Sequence, residues 1–379
     1  MRTLSRYALL TFSALLLSGC DTDASQPPSV QPPPAPVTDT PAPPEVPNTP
    51  EVQGAAILYD TDFGLDVDDV GALALIHVLA DQGEVTLLGV VSNVSDPYAP
   101  AAIDVINTYY GRPNVPIGLA QGSFYAKAYP YWRDPSPRYI KTLAETFPHD
   151  TPTNPAEVPT AVEVYRRVLA AQPDHSVTVV SVGFMQNMSA LMASSPDAHS
   201  SLSGTALIRQ KVKELVIMGG AHPGSAKDLY LAGGREMDAS FAIDVLYNWP
   251  TVTVFNTGEV CGAISNGQTL ARTTPITNPV RASYTMFFGR EGRGRNSWDL
   301  CSVLYSVRGL SGPEGRYFST LTDEHLTLSR SGVSRWVAPG NGRHVRLTRE
   351  LDRAVLQGLL EDLITTPPSR PLTRRQPLR

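Results

Sequence analysis

Cysteine is scarce in this 379-residue sequence. Only Cys20, Cys261 and Cys301 occur, and no two stand in a C-x-x-C spacing. That excludes a zinc site of the usual thiolate kind. Basic charge is not in excess either: 31 Lys and Arg face 36 Asp and Glu, a formal charge of −5 at pH 7. No face is then positive enough to hold nucleic acid, and a small molecule is the expected partner. No apolar run reaches the roughly 20 residues a bilayer-spanning helix needs. An internal repeat is also absent, which excludes a solenoid.

What is there begins with a positive end, Arg2 to Arg6, a short apolar stretch, Tyr7 to Leu17, and small residues before Cys20. This order reads as an export signal. Leu17-Ser18-Gly19-Cys20 resembles the lipobox of bacterial lipoproteins. By that resemblance Cys20 becomes the first mature residue and carries the lipid, which anchors the chain to a membrane of the cell envelope. Cys261 and Cys301 then remain, either as a disulfide, which an oxidising compartment permits, or as two buried thiols. Between Pro27 and Pro50 lie eleven prolines in twenty-four residues. Proline fixes φ and removes donors, so this stretch is expected to be an extended tether. The expected organisation is a signal over 1–20, a Pro-rich linker over 21–53, a folded domain over 54–367 and a basic tail over 368–379.

Within the domain, apolar runs and helical periodicity alternate. Strands are expected at 55–59, 85–91, 115–118, 177–182, 212–218 and 252–255, and helices at 70–80, 99–110, 161–171 and 349–364. Strand–helix alternation with nearly continuous apolar strands predicts an α/β fold, a mostly parallel (mixed) central sheet with helices on both faces. The stretch 125–159, rich in Tyr and Pro and containing Trp132, is expected to be a lid or a packed surface loop.

Ligands of such sheets bind beyond the carboxyl ends of the strands. After the first strand comes Asp60-Thr61-Asp62-Phe63-Gly64-Leu65-Asp66-Val67-Asp68-Asp69, five carboxylates in ten residues. They repel unless a cation sits among them, and a hard ion such as Ca²⁺ takes six to eight oxygen ligands. Gly64 lets the backbone turn so that several of them converge. Counted from Asp60, an EF-hand loop needs Gly sixth and Glu twelfth, where this chain has Leu65 and Gly71. A haloacid-dehalogenase-type phosphatase also opens on Asp-x-Asp, but its later Gly-Asp-x-x-x-Asp motif is missing.

The run is similar to the Asp-x-Asp-x-Gly…Asp-Asp opening of the nucleoside hydrolase family. The resemblance continues in order through Val91-Ser92-Asn93, Ser181 to Leu191 (with Gln186-Asn187), Val212 to Gly220, and Ser297-Trp298-Asp299. It implies a Rossmann-like fold and Ca²⁺-dependent hydrolysis of the N-glycosidic bond of ribonucleosides. By the same resemblance Asp62, Asp69, Asp299 and the main-chain carbonyl of Gln186 hold Ca²⁺. Asp68 and Asn93 hold the sugar, and Asp60 and Asn187 support the cluster. Two extra residues before the Asp68-Asp69 pair leave Asp66 to share either role. Asp62 is the expected base that deprotonates the attacking water, and the transition state is oxocarbenium-like. Where many members have a histidine before the late aspartate, Trp298 resembles the purine-preferring branch, whose indole stacks on the base; a core aromatic is the competing reading. His222 is an alternative acid. The sugar-binding Glu-x-Asn of the family is replaced by Asp238-Ala239-Ser240, and Glu259 stands where it can compensate. Those replacements keep open a second reading, a ribosyl-ligand-binding lipoprotein without turnover. Whether the chain forms a homo-oligomer is also left open.

Overall fold

The computed structural model describes residues 54–121, 139–220, 226–228, 231, 233 and 239–369. The lipobox with Cys20, the linker, residues 125–138 with Trp132, His222, Asp238 and the tail from 370 lie outside the described residues.

The strands are β1 (Ala55–Thr61), β2 (Val85–Ser92), β3 (Ile117–Leu119), β4 (Val177–Ser181), β5 (Val212–Met218), β6 (Ala226–Lys227), β7 (Val252–Asn256), β8 (Ser265–Asn266), β9 (Arg295–Asn296), β10 (Ser311–Gly312), β11 (Gly315–Arg316), β12 (Phe318–Leu321), β13 (His325–Leu328), β14 (Val333–Val337) and β15 (His344–Arg349). Eight of them form the central sheet in the order β12-β15-β7-β5-β4-β1-β2-β3. Every neighbouring pair is parallel except β12 with β15. The sheet is therefore mostly parallel and mixed, as the strand–helix alternation predicts.

Side chains alternate across it. Ile57, Tyr59, Val180, Val216 and Met218 enter one apolar layer. Leu58, Val177, Val179, Leu215 and Ile217 enter the other. Burial on both faces is why these strands read as unbroken apolar runs. Helix α1 (Asp68–Asp81) is buried from Asp68 through Leu79 because it lies between the sheet and two further helices, Trp298–Arg308 and Arg353–Thr365.

Two expectations shift. The closing helix starts at Arg353, where Asp352 caps it by accepting from Ala354 N at 2.8 Å; Arg349 instead ends β15. The edge pair β12–β15 was not foreseen, since its alternation is diluted by polar residues on a half-exposed edge. Of the stretch 125–159, the described part opens with the helix Tyr139–Thr146, whose Tyr139 and Ile140 are buried. No helix among the described residues is long and apolar enough to cross a membrane.

The order also locates the site. From β1 the chain steps to β2 and β3 on one side, then returns to place β4, β5 and β7 on the other. The carboxyl end of β1 is thus the point where the winding reverses, and there the loops part to leave a crevice.

Candidate functional site

The acidic run leaves β1 at its carboxyl end. Asp60, Asp62, Asp68 and Asp69 are all buried, and Asp66 nearly so. The turn depends on Gly64 at φ +109°, a conformation that L side chains rarely adopt. A Cβ there would also meet Ile140 Cδ1 at 2.6 Å. Asp68 and Asp69 form the first turn of α1, where the helix dipole favours negative charge.

Asp60 points away from the turn and is held by neutral donors. Asn93 Nδ2 donates to Oδ1 at 2.5 Å, while Tyr165 Oη and Asn187 Nδ2 donate to Oδ2 at 2.9 and 3.1 Å. Burial still pushes its carboxyl up to about 7. Asp60 therefore acts as a hub, tying β1 to the end of β2, to the middle of the helix Ala161–Ala170 and to the start of the helix Gln186–Ala193.

Asp68, Asp69 and Asp299 bring one carboxylate oxygen each within 4.8 Å of one another. Asp299 comes from the first turn of the helix Trp298–Arg308. Asp62 lies against Asp69: burial, then repulsion from Asp69 and Asp68, raises its pKa well above the usual carboxylate range. Burial raises Asp69 to about 7, although Thr61 Oγ1 donates to its Oδ1. Asp299 is raised by burial and then by Asp68.

Asp62 Oδ2 and Asp69 Oδ2 are buried with no hydrogen-bond partner. Buried carboxylates with unpartnered oxygens cost several kcal/mol unless a cation or proton joins them. The donors are oxygens, with neither His nor Cys among them, so the set fits a hard cation. The cluster can hold a metal ion, and Asp68, expected on the sugar, is one of its three closest carboxylates.

Asn93 and Gln186 flank the cluster. Gln186 Nε2 donates to the Asn93 carbonyl, leaving Asn93 Oδ1 and Gln186 Oε1 buried and unpartnered. Gly183 makes the approach feasible: a Cβ there would lie 2.6 Å from Asn93 Nδ2 and 2.9 Å from Asp62 Cβ.

Asp66 is drawn elsewhere. Arg295 Nε donates to its Oδ1 at 2.7 Å and to its Oδ2 at 2.9 Å, and Nη2 also donates to Oδ2. Tyr139 Oη donates to the Asp66 carbonyl at 2.6 Å. The extra acid of the loop thus has its own counter-ion.

Trp298 is half-buried next to Asp299, with the Arg295 guanidinium 4.6 Å from its ring centroid. Its carbonyl accepts from Asn256 Nδ2 at 3.0 Å. Cys261, which ends the short helix Gly258–Cys261, is disulfide-bonded to Cys301, with 6.3 Å between the Cα atoms. Glu259 lies in that short helix, though its side chain is outside the described atoms. Ser240 starts the helix Ser240–Asn248 and is exposed.

Sequence reasoning missed Arg295, Tyr165, Tyr139 and Thr61. Five acids in ten residues call for a cation, and Arg295 stands three residues before Trp298, so it was within reach. Tyr165 sits on the buried face of an amphipathic helix, and no local signal separates it from core.

Residues 57–233 match the family described as inosine-uridine preferring nucleoside hydrolase. This match, over a little under half of the chain, supports the nucleoside hydrolase family and speaks against the phosphatase alternative. Its fold is similar to that of a plant nucleoside hydrolase, PpNRh1, at 15% identity and TM-score 0.58, covering 83% of this chain and 99% of that one. A purine-preferring ribonucleoside hydrolase from Gardnerella vaginalis aligns at 14% identity and TM-score 0.56, over 82% and 98%. The type III effector protein XopQ, complexed with adenosine diphosphate ribose, aligns at 16% and 0.59, over 82% and 94%. No curated protein sequence matches the chain.

Proposed function

We propose that this chain is a lipid-anchored, Ca²⁺-dependent hydrolase of N-ribosyl compounds, leaning toward purine nucleosides and working outside the cytoplasm. The observation that carries the reading is the meeting of Asp62, Asp68, Asp69 and Asp299 at the end of β1, with buried unpartnered oxygens on Asp62 and Asp69.

When bound, Ca²⁺ supplies Lewis acidity that makes water a better nucleophile at neutral pH. Asp62, buried beside Asp69 at the cluster, would be the base that takes the proton of the attacking water. Asp68 and Asn93 orient the ribose hydroxyls, which converts binding energy into rate. Asp60 holds Asn93 in place. The Trp298 indole supports the purine preference by offering an aromatic wall to the base. Membrane anchoring rests on the lipobox at Cys20. The Cys261–Cys301 disulfide supports an oxidising compartment.

Sugar release from a panel of purine and pyrimidine nucleosides, with Ca²⁺ and after chelation, tests the proposal. Metal-dependent ribose that disappears in Asp69→Ala supports it. A panel that yields no ribose, while calorimetry still shows Ca²⁺ binding, supports the binding lipoprotein instead. That alternative draws on Asp238 and Ser240 replacing the family's sugar contacts. ADP-ribose joins the panel because a protein of the same fold is complexed with it.

A further inference from the structure

We infer that Asn266 and Glu361 are positioning residues for the metal cluster. They draw the Ser297 hydroxyl off the start of the helix Trp298–Arg308, which leaves Asp299 N free to hold Asp68. The inference rests on the reading of the cluster as a Ca²⁺ site and deepens it.

Ser297 occupies the N-cap seat of that helix, yet its side chain makes no capping bond. A serine in that seat ordinarily accepts from the second or third amide of its helix. Ser203 does so in this chain, accepting from Ala206 N with an extended backbone at φ −61° and ψ 158°. Ser297 stands at φ −101° and ψ 51°, and its hydroxyl donates instead to Asn266 Oδ1 at 2.6 Å. The second amide of the helix, Asp299 N, donates to Asp68 Oδ2 at 3.4 Å. An acid of the cluster thus takes the donor that a capping serine would occupy. The bond joins two residues whose carboxylates repel and which both supply an oxygen to the cluster.

The grip on Ser297 is built from buried groups. Asn266 and Ser297 are fully buried and Glu361 nearly so. Asn266 Nδ2 donates to Gln357 O at 2.8 Å and to Glu361 Oε2 at 3.2 Å, so Oδ1 is the end turned to Ser297. Glu361 Oε2 also accepts from Gly267 N at 2.6 Å, and Oε1 from Thr269 N at 2.8 Å and from Thr269 Oγ1. Hydrogen bonds to a carboxylate are the strong ones, and these fix the turn that follows β8.

The helix itself is held independently. Asn256 Nδ2 donates to Trp298 O at 3.0 Å and to Ser302 Oγ at 2.9 Å, and Cys301 is bridged to Cys261. Breaking the Asn266 bond therefore releases the Ser297 hydroxyl without unseating the helix. A buried hydroxyl left unpartnered is costly, and the capping seat puts the amides of its own helix within reach. Capture of Asp299 N by that hydroxyl displaces Asp68.

Calorimetric Ca²⁺ affinity of the full chain tests the inference in Asn266→Ala, Ser297→Ala and the two combined, with thermal melts in chelator to show that each is folded. Asn266→Ala is expected to weaken Ca²⁺ binding by about tenfold or more, the usual cost of losing a group behind a metal ligand. Ser297→Ala has no hydroxyl to release and is expected to bind like the wild type. The combined variant is expected to bind more tightly than Asn266→Ala alone, by about threefold or more. If Asn266→Ala does not fold, Glu361→Gln, which keeps the shape but not the carboxylate, takes its place in the same cycle. Wild-type affinity in Asn266→Ala, an equal loss in Ser297→Ala, or no recovery in the combined variant overturns the inference. A wild-type chain that takes up no Ca²⁺ overturns the Ca²⁺ reading, and this inference with it.

Discussion

Removing the cation should make this protein less stable as pH rises. Burial carries Asp69 from the ordinary 3.8 to about 7 in the cation-free fold. A folded carboxyl with a raised pKa binds more protons than the unfolded chain between about pH 4 and 7. The folded state is therefore least penalised below pH 4 and loses stability as pH climbs toward 7. Holding such a buried carboxyl ionised at neutral pH costs roughly 4 kcal/mol. Asp60 adds a loss of the same sign, but its donors are neutral side chains, so a cation does not relieve it. Asp62, Asp68 and Asp299 are raised by burial and by one another as well, so the part that Ca²⁺ restores is at least one carboxylate's worth. With an unfolding entropy near 2.1 cal/mol/K per residue and about 320 folded residues, 4 kcal/mol corresponds to about 6 °C in Tm. Thermal melts with chelator and with millimolar Ca²⁺ across pH 5 to 8 measure it. The chelated Tm should fall through that range, and the gap to the Ca²⁺ form should widen. A gap that is the same at pH 5 and pH 8 refutes the reasoning.

Asp69→Ala should cut Ca²⁺ affinity by at least about a hundredfold and abolish sugar release, read by calorimetry and a reducing-sugar assay. Gly183→Ala should fold but lose at least tenfold in kcat/KM, because the new Cβ displaces Asn93 and Asp62; the same kcat/KM as wild type would show that the approach is not tight. Tyr165→Phe removes one of three donors to buried Asp60 and should cost about 1–3 kcal/mol in urea unfolding. Opening the Cys261–Cys301 bridge, which spans 40 residues, should cost about 4 kcal/mol on the chain-entropy account. Denaturant curves with and without reductant measure that loss.

The central sheet was legible because its strands are buried on both faces. Runs such as Val177 to Val182 and Val212 to Met218 can be satisfied in few other ways. The metal cluster was legible for a similar reason: five carboxylates between an apolar strand and an apolar helix cannot be solvated and must share a charge. Asp299 came only through family resemblance, since a lone Ser-Trp-Asp has no local meaning. The edge pair β12–β15 escaped because half-exposed strands carry a diluted pattern.

Sequence by itself determined the layered α/β architecture and the acidic strand end, since burial periodicity and charge density are local properties. Tertiary structure alone decided who answers each acid. Asp60 is met by Asn93, Tyr165 and Asn187, and Asp66 by Arg295, 229 residues away. It likewise decided that Cys261 and Cys301 pair. Those choices depend on distances between segments remote in the chain, and spacing along the chain does not encode such distances.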